Sequence, residues 1–125
     1  MADLKRMVGF LVTTRPDAAR RFYTEVLGFR LLSDDAHALA FDTPGALLRI
    51  GKAEHFQPSA GTVLGWEVDP IQSAVADLTS KGAVFERFPG MQADTHAIFT
   101  FPNGDRVAWF KDPEGNLLSL SQHVV

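Results

Sequence analysis

A chain of 125 residues, 46% apolar and 22% charged, suits one ordinary globular domain and excludes a disordered one. A net charge of -3, with no basic cluster beyond Lys5-Arg6 and Arg20-Arg21, excludes a general phosphate-backbone binder. The lack of cysteine removes disulfides, thiolate metal sites and thiol nucleophiles.

The first strand is read at residues 7–14, an apolar and β-branched run that stops at Arg15-Pro16. Pro16 and Asp17 suit a helix start, and Ala18, Ala19, Phe22, Val26 and Leu27 keep helical spacing. One amphipathic helix is therefore expected over 16–27, ended by Gly28. Strands follow at 29–33, 37–42 and 46–51, separated by Asp34-Asp35 and Thr43-Pro44-Gly45. Residues 53–60 read as a linker, so the expected division is a half-module 1–52, that linker and a half-module 61–125. The second half starts with a strand at 62–68. A helix then runs from Asp69-Pro70 to Lys81, with Ile71, Val75 and Leu78 on one face and Gly82 behind it. Strands are read at 84–88, 96–101, 106–111 and 117–122, with Asn103-Gly104 and 112–115 as turns.

The order β-α-β-β-β is thus read in both halves, the second with one strand more, at a period of roughly 55 residues. The fold class expected is α+β: two pseudo-symmetric βαβββ modules forming a cup-shaped mixed sheet, with helices on the convex side. A cup is a natural ligand site. No basic-then-apolar leader opens the chain, and no apolar run nears the roughly 20 residues of a membrane span. The expectation is a cytoplasmic protein with neither a membrane nor a nucleic-acid partner.

Three segments carry a family resemblance. Residues 22–29 (FYTEVLGF) resemble the "FYxxVLGF" segment of vicinal oxygen chelate proteins. Residues 111–118 (KDPEGNLL) resemble their "DPxGN" hairpin, and residues 65–71 (GWEVDPI) resemble the start of their second half. This is the superfamily of glyoxalases, bleomycin-resistance proteins and extradiol dioxygenases. The resemblance implies metal ligands on four strands, at positions occupied here by Val8, Arg49, Val63 and Ser119. Valine has no donor atom, arginine stays protonated and serine is a weak neutral ligand. No metal site and no cofactor are therefore expected. His37, His55, His96 and His123 are scattered, although His37 and His96 open comparable strands.

Strand alternation places Phe10, Val12, Leu47, Gly65, Glu67, Leu117 and Ser121 on the same face as those four positions. Arg49 is the first candidate ligand contact, because a guanidinium can hold a carboxylate or phosphate by two parallel hydrogen bonds. The competing reading is a solvated strand arginine paired with Glu67. Glu67 is the one candidate catalytic residue, as a general base, and also a candidate acceptor for a ligand. Phe10 could stack on a planar ligand, and Ser119 could donate one hydrogen bond. Trp109 is a further candidate, although either Trp109 or its neighbour Phe110 could face the cup. Tyr23 is read as packing with its hydroxyl at the surface.

The expected function is metal-free binding of a planar or anionic small molecule, in the manner of bleomycin-resistance proteins. The resemblance also implies a homodimer. One alternative is a glyoxalase- or dioxygenase-type enzyme with an atypical metal site or a metal-free mechanism. Another is a regulatory module that binds a protein.

Overall fold

The computed structural model describes residues 1–124 and divides the chain into two compact units, Met1–Gln57 and the remainder from Pro58 onward. Each is a βαβββ module, so the chain has the α+β fold expected.

In the first unit, β1 (Met7–Thr13), β2 (Arg30–Asp34), β3 (Ala38–Thr43) and β4 (Ala46–Lys52) form a sheet in the order β1-β4-β3-β2. β1 runs parallel to β4; the other pairings are antiparallel. Alternation then sorts the side chains. Leu11, Leu39, Phe41, Leu48 and Ile50 are buried on one face. Tyr23 packs there against Phe41, so this is the helix-covered face.

The helix is not uniform. α1 (Pro16–Arg21) gives way to a π-helical stretch, Phe22–Val26. The Thr24 hydroxyl donates to the Arg20 carbonyl at 2.7 Å, which competes with the α-helical ladder. The ladder widens, and the Leu27 N–H reaches the Phe22 carbonyl five residues back. Gly28 closes the segment at φ 73°, where a side chain would be strained. Tyr23 is fully buried among Phe22, Phe29 and Phe41, which corrects the expectation of a surface hydroxyl.

In the second unit, β5 (Thr62–Glu67), β6 (Phe99–Thr100), β7 (Arg106–Lys111) and β8 (Leu117–Gln122) form a sheet in the order β5-β8-β7-β6. α2 (Ile71–Ser80) covers the face bearing Ala108, Phe110, Leu118 and Leu120 with its own buried Ile71, Val75 and Leu78. The Gln122 side chain accepts the Ile71 N–H at 2.7 Å, so the last strand caps the helix it packs on.

Two expected strands shrink. Residues 84–88 form only a bridge between Phe85 and Phe110, because Pro89-Gly90 turns the chain away before a ladder can build. Residues 96–101 reduce to Phe99–Thr100. Before them, the Asp94 carboxylate accepts the N–H groups of His96 and Ile98, and Ala97 sits at φ 64°. This tight turn consumes residues that would otherwise extend the strand. An equivalent turn stands in the first unit, where Asp35 accepts the N–H groups of His37 and Ala38. No helix among the described residues is long and apolar enough to cross a membrane.

Candidate functional site

On the first sheet, the face away from the helix carries Val8, Phe10 and Val12 from β1, and Leu47 and Arg49 from β4. The register sets Phe10, Arg49 and Ala40 side by side across three strands. Phe10 is 72% exposed and Val8 39%, so an apolar surface with an aromatic ring lies open next to the guanidinium. Arg49 is half-buried, and its side chain forms no hydrogen bond or ion pair with the described residues of its unit. Its field helps hold the Asp35 carboxyl below its ordinary value. The larger causes there are the N–H groups of His37 and then Ala38.

On the second sheet, register decides between Trp109 and Phe110. Trp109 pairs with Ser119 on the face away from α2, while Phe110 pairs with Leu118 in the core. The Trp109 indole N–H donates to the Thr62 hydroxyl at 3.1 Å, and its ring meets Phe88 edge-on at 5.6 Å and Phe99 at 6.5 Å. Glu67 is exposed at the end of β5, opposite Ser121. Ser119 lies against Gly65, where a β-carbon would collide with its hydroxyl.

On the second sheet, simple alternation fails within β5. Thr62 pairs with Leu117 and Leu64 with Leu118, so Val63 is the extra residue of an irregular pairing. Thr62 takes the position facing Trp109 that alternation assigned to Val63. No glycine or proline marks the irregularity, and only the paired strand reveals it. Phe10 and Arg49 therefore share one face of the first sheet, and Glu67, Trp109 and Ser119 share one face of the second.

Val8 and Arg49 lie on one face of their sheet, and Ser119 on one face of the other. Valine has no donor atom, arginine stays protonated and serine is a weak neutral ligand, so these residues do not fit a chelated metal. Among the described residues, no three His, Asp or Glu side chains form a group able to hold one.

A family model described as Glyoxalase/Bleomycin resistance protein/Dioxygenase superfamily matches residues 5–120. The chain belongs to that superfamily. No curated protein matches it significantly. Solved structures match the fold closely. A putative glyoxalase family protein from Bacillus anthracis is 18% identical at a TM-score of 0.74, covering 99% of this chain and 98% of that one. TioX from Micromonospora sp. ML1 is 24% identical at 0.71, covering 97% and 100%. A lactoylglutathione lyase from Agrobacterium tumefaciens is 15% identical at 0.72, covering 97% and 95%. Identities this low establish the shared fold of this superfamily member and leave its chemistry to its own residues.

Proposed function

We propose that this superfamily member binds a planar, anionic small molecule without a metal ion. The observation that carries the proposal is Arg49: half-buried on an apolar sheet face, beside the exposed Phe10 ring, with no counter-charge bonded to it in its unit. A guanidinium in that setting matches a carboxylate or phosphate bidentately, and Phe10 supplies a face for a planar body. On the sheet face of the second unit, Trp109, Ser119 and Glu67 are proposed as that unit's own ligand contacts, for stacking, hydrogen-bond donation and acceptance. The replacement of the family's ligand positions by Val8, Arg49, Val63 and Ser119 supports the metal-free reading.

We further propose a homodimer in the cytoplasm. The exposed Met7 and Val8 on β1, which ends its sheet, support a subunit contact.

The test is a thermal-shift screen of aromatic carboxylates and aryl phosphates against their neutral amide or alcohol counterparts. A ligand at 100 times its Kd stabilises the fold by about 2.7 kcal/mol. Anions alone should raise the melting temperature. Equal shifts from the neutral counterparts, or none from any anion, would contradict the role given to Arg49. Elemental analysis after incubation with Ni²⁺, Zn²⁺, Mn²⁺ and Fe²⁺ should find no stoichiometric ion; one ion per subunit would refute the metal-free reading.

A further inference from the structure

The end of β8 carries a hydrogen-bonded chain of three side chains. The Ser121 hydroxyl lies 2.9 Å from His123 Nε2, and His123 Nδ1 lies 3.2 Å from Asp105 Oδ2. Strand geometry explains the assembly. The antiparallel pairing of β7 with β8 ends at Arg106 opposite Gln122, so the next step outward brings Asp105 beside His123. Asp105 is fixed on its other side, because its Oδ1 accepts the Val124 N–H at 2.9 Å. Its backbone is held as well: its N–H donates to the Asn103 side chain, and its carbonyl accepts the Phe101 N–H. The Val124 N–H, then the His123 and Asn103 side chains, hold its carboxyl below the ordinary range, so it stays an acceptor at neutral pH.

An ionised Asp105 selects the His123 tautomer with its proton on Nδ1. That leaves Nε2 free to accept from the Ser121 hydroxyl. This arrangement of serine, imidazole and carboxylate is recognised by geometry and role, in any chain order. It is open to solvent, since the His123 side chain is 46% exposed. A shallow surface recess lined by Phe101, Pro102 and Asn103 adjoins Asp105 at the carboxylate end.

We propose that Ser121, His123 and Asp105 form a base-activated serine nucleophile that takes acyl groups from small activated esters and passes them to water. Ser121 Oγ bonds to the ester carbonyl carbon while its proton moves to His123 Nε2. The carbon–oxygen bond to the leaving alcohol then breaks, and His123 returns the proton to that alcohol. Water attacks the acyl-serine with His123 again as base, releasing the carboxylic acid and restoring the hydroxyl. Asp105 is a positioning residue, which orients the imidazole and stabilises its charged form. The inference stands apart from the proposed ligand binding, which rests on Arg49.

The test uses the full chain, an alkyl fluorophosphonate and p-nitrophenyl acetate. Intact mass should show one phosphonyl adduct with loss of fluoride, and peptide mapping should place it on Ser121. Ser121→Ala should abolish the adduct. His123→Gln should slow labelling and ester turnover roughly 100-fold, the lower range for loss of a general base. Asp105→Asn should slow both, and Asp105→Glu should recover part of the rate, which a purely structural role would not produce. No adduct on the wild-type chain, an adduct on another residue, or wild-type labelling of a folded His123→Gln variant overturns the proposal. The wild-type mapping decides the matter even if a variant fails to fold.

Discussion

Replacing Gly65 with alanine tests the contact between β5 and β8 on the face that carries Trp109. The new β-carbon would overlap the Ser119 hydroxyl and lie 3.1 Å from the Ser119 carbonyl oxygen and 3.6 Å from its β-carbon. The hydroxyl must leave its present rotamer, and the carbonyl, which belongs to the ladder, must shift by a few tenths of an ångström. Overpacking of this kind costs about 1–3 kcal/mol. Losing a glycine also restricts the unfolded chain, which returns about 0.4–1 kcal/mol. The net expectation for Gly65→Ala is a destabilisation of about 0.5–2 kcal/mol in urea unfolding. Ser119→Ala removes only the hydroxyl, so the double variant should be more stable than the sum of the singles by about 1 kcal/mol. Strict additivity, or a Gly65→Ala variant as stable as wild type, would refute this packing of Ser119 over Gly65.

Tyr23→Ala deletes a fully buried ring contacted by Phe22, Phe29 and Phe41, and should cost about 3–5 kcal/mol in the same assay. Asp34 is held below its ordinary value, first by the Lys52 ammonium and then by the Arg20 guanidinium. A lowered carboxylate stabilises the fold fully above its unfolded value of about 4, and this contribution disappears as pH falls through the lower folded value. Unfolding midpoints of wild type and Asp34→Asn should therefore differ at neutral pH and converge in acid; a constant difference would contradict the linkage.

The helix-facing pattern was legible because alternation and burial agree. Alternation sets Leu48, Ile50, Leu64, Trp66, Leu118 and Leu120 on the helix-facing side; Leu48, Ile50, Leu118 and Leu120 are buried core, while Leu64 and Trp66 are only partly buried. The β-α-β-β-β order was legible for the same reason, together with glycines at helix ends. Cross-strand register was not. It settles Trp109 outward and Phe110 inward, exchanges Val63 for Thr62, and brings Asp105 to His123, which looks like a loose tail residue in one dimension. The strand expected at 84–88 has the right composition, but an edge segment gains little from one neighbour and is cut short by Pro89. The turn at residues 94–97 is written in Asp94-Thr95-His96, which parallels Asp35-Ala36-His37. Aspartate two residues before a backbone donor was the available signal. The π-helical stretch depends on where Thr24 directs its hydroxyl, which helical spacing does not report.

The most direct test of the account is isothermal titration of one aromatic carboxylate that raises the melting temperature, against wild type and Arg49→Met. Methionine keeps length and apolar bulk but removes the two-pronged donor. Loss of a charge-assisted hydrogen bond of about 1.5–3 kcal/mol predicts binding weakened about 10- to 150-fold, with the fold unchanged. Equal affinity in the two proteins would show that Arg49 holds no anion.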